Sequence, residues 1–183
     1  MPLSQLDPVT ALVAIDLQKG VIGLPVTPSG AEIVERTARL ARAFRARGLP
    51  VVWVNVVARA PGRTEMSRPF NPPADWHELD PGLRVEAGDL RVTKHNVGAF
   101  YGTGLDMLLR RRGATQICLT GISTSSGVEA TARAAFDHGY NVVSVVDAMA
   151  DTDSEAHAHA VGTQLRKIGE TTTTEELLAA LAG

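Results

Sequence analysis

The 183-residue chain predicts an α/β fold: a three-layer α/β/α, Rossmann-like sandwich around a mainly parallel six-stranded sheet. Three observations predict it. Short apolar runs alternate with longer runs whose apolar residues recur at helical spacing. The short runs are apolar at nearly every position, as strands covered on both faces are. Glycines at 48, 113 and 139 stop the helical runs.

Taken in order, ALVAID (11–16) is a short apolar run ending in an acid. Residues 30–48 read as a helix, with Ile33, Leu40, Ala41 and Phe44 on one face and Gly48 as its stop. PVVWVNVV (50–57) is β-branched and reads as a buried strand, and DLRVTK (89–94) as a shorter one. A helix over 103–112 ends in three arginines, suited to the negative end of the helix dipole. Strand 115–121, helix 126–138, strand 141–147 and helix 153–167 follow, then a last helix over 174–182 with Thr174 as N-cap. The pattern places five of the six strands.

One domain over 1–183 is expected, since about 100–200 residues per domain is usual. Hydrophobic residues are 44% of the chain, charged residues 21% and the net charge is −2. That mix gives no reason to expect nucleic acid or an anionic membrane as partner. The single cysteine, Cys118, excludes an intrachain disulfide and a CxxC zinc site. The first residues carry no basic, apolar leader pattern, and no apolar run approaches a membrane span. A cytoplasmic protein is therefore expected. The absence of GxxxxGK[ST], of GxGxxG after the first strand and of GxSxG argues against a P-loop, a dinucleotide enzyme and a serine nucleophile elbow.

Residues 58–88, broken by five prolines, are too long for a plain connection and read as a specificity loop or lid. They carry Arg59, Arg63, Arg68, Phe70, Trp76 and His77.

In open parallel sheets ligands bind at the carboxyl ends of strands. Asp16 stands at one such end, with Gln18 just beyond, and Lys94 at another. GISTSSGVEATARAAF (121–136) leaves a third through small residues. Such a turn lets backbone N–H groups converge where a helix N-terminus favours negative charge. Singly, each has a plainer reading: a turn cap, a solvated strand end, a tight connection.

Together, in this order and spacing, ALVAIDLQKG, TKHNVGAFYGTGLDMLLRRRG (93–113) and ICLTGISTSSGVEATARAAFDHGYNVVSVVDAMAD (117–151) resemble the isochorismatase-like hydrolase superfamily, which includes nicotinamidases and N-carbamoyl amidohydrolases. The resemblance implies Asp16 and Lys94 as catalytic residues. It also implies a non-proline cis peptide between Ile122 and Ser123, and backbone donors near Ser123 and Gly127. The family's amide and nitrile hydrolases carry cysteine just before the valine of the third segment; here that position is Gly127. In this the chain is similar to isochorismatase-type members and to small hydrolases with glycine there. The family's Asp-x-His metal motif is replaced by VNVVARA. No metal and no cofactor are expected.

Without a thiol, Asp16 is expected to act as general acid or base, with Lys94 as its partner, on a small and anionic metabolite, as in vinyl-ether hydrolysis. Gln18, Ser123, Thr124 and Ser126 are expected to meet substrate, with Phe100, Tyr101, Trp53 and Trp76 as apolar walls and arginines of 58–88 as cations. The alternatives are a serine at 124–126 acting on an amide or ester, and a non-catalytic ligand-binding relative. A homo-oligomer, dimer or larger, is expected, as is common in families of this kind.

Overall fold

The computed structural model describes residues 3–58, 60–65 and 71–183. Its centre is a six-stranded sheet built from β1 (Thr10–Ile15), β2 (Val51–Val56), β3 (Leu90–Lys94), β4 (Gln116–Ile122), β5 (Asn141–Ala150) and β6 (Glu170–Thr172). The strand order is β3-β2-β1-β4-β5-β6, and every pairing is parallel. The α/β expectation holds, and the sheet is wholly rather than mainly parallel. All residues of β1 and β4 are buried, which is why both lack the alternation of a half-exposed strand.

Side chains of alternate parity fill two apolar layers. On one face Val13, Ile15, Ile117 and Leu119 meet Leu105 and Leu109 of α3 (Leu105–Arg111) and Ala132 and Ala135 of α4 (Glu129–Asp137). On the other, Leu12, Ala14 and Trp53 meet Ile33, Leu40 and Phe44 of α2 (Gly30–Ala46) and Leu177 and Leu181 of α6 (Thr174–Ala182). α2 starts at a capping box in which Ser29 and Glu32 satisfy each other's backbone N–H groups, a feature worth about 1 kcal/mol.

Several boundaries depart from the sequence pattern. A short α1 (Lys19–Ile22) follows Asp16. The last helix is capped by Thr173, not Thr174. The helical run expected over 153–167 is α5 (Ser154–His159) continued by a π turn and a 3-10 turn. Thr124–Val128 is a π turn leading into α4, so the helix expected from 126 begins at Glu129. β5 runs on to Ala150, with a register shift against β4 between Leu119 and Gly121. No helix among the described residues is long and apolar enough to cross a membrane.

Candidate active site

The strand order reverses at β1 and β4, and the crevice outside their carboxyl ends is where such sheets bind ligands. Asp16 leaves β1 with φ 55, a left-handed conformation that few residues other than glycine adopt. Its amide donates to the Val54 carbonyl at 2.8 Å, which fixes the side chain above the sheet edge. Across from it, Gly121 has φ 128 and lies so close to Ile15 that a Cβ there would overlap the Ile15 carbonyl. The next peptide, Ile122–Ser123, is cis, at the position the resemblance implied.

Lys94, at the end of β3, reaches over β2 to place Nζ 2.8 Å from Asp16 Oδ2. The two residues are 2% and 6% exposed, so the pair is enclosed. Nζ also donates to the Val97 carbonyl at 2.7 Å and the Asn96 carbonyl at 3.3 Å. An ammonium has three donors, and here each has an acceptor. Asp16 Oδ1 is buried and has no hydrogen-bond partner among the described residues. Burial pushes the Asp16 carboxyl up to about 6, the nearby Lys94 opposing part of that rise. Gly127 completes the floor: a Cβ there would stand 3.3 Å from Asp16 Oδ2 and 3.5 Å from Lys94 Nζ. Glycine therefore leaves open the space directly above the pair.

The turn that presents Gly127 is held from beneath. Asp151 Oδ2 accepts from the Ser125 amide and hydroxyl, both at 2.8 Å, and its Oδ1 from the Thr152 amide. Thr124 donates to the Ala150 carbonyl and lies 2.8 Å from His157 Nδ1. Thr131 donates to the Gly127 carbonyl at 2.6 Å and accepts from the Ala99 amide. That last link ties the turn to the loop whose carbonyls hold Lys94. The sequence reading missed Asp151, Thr131 and His157. Asp151, just past the apolar end of β5, carried the same strand-end signal as Asp16.

A cavity of about 550 Å³ opens above the pair. Its walls are apolar: Val21, Leu24, Val56, Val97 and Ile122, with Ala58, Ala60, Pro61 and Gly62 from the long loop. Asn96, Ser123 and Ser126 supply polar edges. Asp16, Lys94, Gly127, Ser123 and Ser126 thus come together. The other expected residues do not line this cavity. Gln18 is fully buried and spends its amide on the backbone of Val56 and Trp76. Thr124 is fully buried beneath the turn. Phe100 is in the core, stacked on His138, and Tyr101 is 79% exposed. Trp53 packs in the α2-side core, and Trp76 lies over Gly20. The long loop divides: Ala58, Ala60, Pro61, Gly62 and Thr64 line the Asp16 cavity, while His77, Glu78, Leu79, Asp80, Pro81, Arg84 and Val85 line a separate one beside β2 and β3. Arg63 is exposed between the lining residues Gly62 and Thr64. Arg59, Arg68 and Phe70 lie outside the described residues. Cys118 is fully buried in the α2-side core, where burial pushes its thiol up.

The Isochorismatase domain model matches residues 10–176. The chain belongs to the isochorismatase family. An uncharacterized isochorismatase family protein of Bacillus subtilis, YwoC, is 42% identical over 92% of both chains. An isochorismatase family protein from Burkholderia thailandensis superposes with a TM-score of 0.94 at 44% identity, covering 98% of each chain. The maleamate amidohydrolase of Pseudomonas putida is 30% identical over 80% of this chain and 75% of its own. Members of the family are hydrolases, and this isochorismatase-family chain is an enzyme of that class with its substrate open.

Proposed function

We propose that the chain hydrolyses a small metabolite without a cysteine nucleophile, with Asp16 as the proton donor and Lys94 as the group that fixes it. The observation that carries this reading is the state of Asp16: one carboxylate oxygen is bound to Lys94 and borders the open space at Gly127, and the other is buried with no partner among the described residues. A carboxyl at its ordinary value is about one part in a thousand protonated at pH 7. At about 6 the protonated share is about one tenth, enough for a general acid. A nucleophilic side chain at 127 would need the space that glycine leaves. Water or the substrate itself fills it instead.

For a vinyl ether, the Asp16 carboxyl would pass its proton to the terminal methylene carbon. The resulting oxocarbenium carbon would take water, and the carbon–oxygen bond of the hemiketal would then break to release a ketone and an alcohol. Lys94 stays in place throughout and favours return of the proton to solvent or substrate by stabilising the carboxylate. An anionic end of the substrate would be met at the mouth, where Arg63 neighbours the cavity wall. The test is to mix the protein with isochorismate and follow pyruvate. Pyruvate released in proportion to protein, and lost in Asp16→Asn, is the expected result. No pyruvate above background ends the vinyl-ether assignment.

A serine route has one supporting observation, the Ser126 hydroxyl at the cavity edge. Among the described residues no imidazole is hydrogen-bonded to it, and His157 is bound to Thr124 instead. A reactive serine probe that labels Ser126 would favour that route over the one proposed.

A further inference from the structure

We infer that His157 is a positioning residue of this site: its imidazole is held as the Nδ1–H tautomer and grips Thr124, so that the turn bearing Gly127 is fixed from outside the cavity. The inference rests on the reading above only in taking that turn as part of the site.

The Thr124 hydroxyl decides the tautomer. It has one proton to give and lone pairs to receive another. The Ala150 carbonyl, at 3.1 Å, can only accept, so the hydroxyl proton goes there. His157 Nδ1 lies 2.8 Å from the same oxygen, and both contacts hold together only if Nδ1 donates. A ring with its proton on Nε2 would turn the hydroxyl towards Nδ1 and strip the Ala150 carbonyl of that donor. Thr124 is fully buried, where a lost partner is not made good by bulk water. Free histidine favours the proton on Nε2, so the tautomer here is imposed by the bond the ring makes. The imidazolium form donates from the same atom, and the grip is the same in either charge state.

The chain around His157 places it. Asp151 Oδ2 accepts from the Ser125 amide and hydroxyl. Two residues on, the Asp153 side chain caps α5 by accepting from the Glu155 and Ala156 amides. The helical turn that follows, with the His157 amide on the Asp153 carbonyl at 2.9 Å, brings the imidazole to Thr124. One stretch, 151–157, thus holds two successive residues of the turn: Thr124 by His157 and Ser125 by Asp151. α5 has no fully buried side chain, so this hydrogen bond joins it to the turn without a buried apolar contact of its own. Ser123, Ser126 and Gly127, which line the cavity, flank the two gripped residues. A shift of the turn therefore moves the space above the Asp16–Lys94 pair, although His157 is not among the lining residues.

Nitrogen-15 NMR of the intact protein, labelled at histidine and assigned through the His157 backbone, reads the tautomer from the ring nitrogen shifts and their couplings to the carbon-bound ring protons. The expected result is a protonated Nδ1 and a bare Nε2 in the neutral ring. In Thr124→Val, which removes the hydroxyl and keeps the shape, the ring reverts to Nε2–H. Hydrogen exchange tests the grip. The amides of Ser125 and Val128 are bonded within the turn, to Asp151 and to the Ser123 carbonyl. In His157→Leu they should exchange at least about fivefold faster, the effect of losing one neutral hydrogen bond. His157→Asn sets an amide N–H where Nδ1–H stood and should return both rates to within about twofold of native. A native ring protonated on Nε2, a ring that stays Nδ1–H without the Thr124 hydroxyl, unchanged exchange in His157→Leu, or no recovery in His157→Asn each overturns the inference. None of these measurements needs a substrate, so they stand or fall apart from the proposed function, which pyruvate release decides.

Discussion

Gly121 lies directly against the carbonyl of Ile15, so close that a Cβ at 121 would overlap it. This approach seats the end of β4 on the end of β1, and the turn bearing Gly127 follows from it. Gly121→Ala adds a methyl where there is no room and forces a side chain into φ 128. A loss of about 2–4 kcal/mol is expected, read as a lowered denaturation midpoint in urea.

Gly127 makes the complementary prediction. A methyl there is tight, at 3.3 Å from Asp16 Oδ2 and Ile15 Cγ2, so those neighbours must give by a few tenths of an ångström, and it occupies the space above the pair. Gly127→Ala should keep stability within about 1 kcal/mol while lowering turnover at least about a hundredfold. Thermal unfolding and steady-state kinetics on the same sample separate the two effects.

The Asp16–Lys94 pair predicts non-additive stability. Removing one partner leaves the other buried and unpaired, at a cost of about 3–5 kcal/mol. Asp16→Ala and Lys94→Met should each destabilise by that order, and the double variant by clearly less than their sum. A double-mutant cycle in denaturant measures the coupling.

Proton donation by Asp16 fixes the direction of the pH profile. The active form is the protonated one, so kcat/KM should be flat below about pH 6, the value to which burial raises this carboxyl, and fall about tenfold per unit above it. The same shift bears on stability. The native carboxyl holds its proton at pH values where the unfolded one, at 3.8, has lost it. Asp16 therefore contributes stability that is present at acid pH and is lost as pH rises through about 6. Lys94→Met, by removing the group that opposes the rise, should move both midpoints upward.

Cys118 is fully buried away from the cavity. Iodoacetamide on the native protein should leave activity unchanged, and Cys118→Ala should retain it. Inactivation by the reagent with protection by substrate would place a thiol in the chemistry.

The sheet was legible because its central strands are apolar on both faces and its helices on one. β6 was not: Glu170–Thr172 is three polar residues that pair with β5 at the sheet edge, and no hydrophobic pattern marks them. Asp16 and Lys94 were legible because an acid and a base at the ends of apolar runs have few other reasons to be there. Gln18, Phe100 and Trp76 were drawn to the same place by proximity in sequence or by aromatic character. Periodicity does not say which way a residue faces once a strand has ended, and these three turned inward to hold backbone, core and loop. Asp151 and Thr131 went unseen because their partners, the Ser125 hydroxyl apart, are backbone groups, whose positions exist only in the fold.

The most direct test is the titration of Asp16 itself, by carbon NMR of labelled aspartate carboxyls with Asp16→Asn to assign the signal. A midpoint near 6, where burial outweighs the pull of Lys94, is the predicted result. A midpoint at or below 3.8, the ordinary value, would leave no proton on Asp16 to donate and would contradict the mechanism.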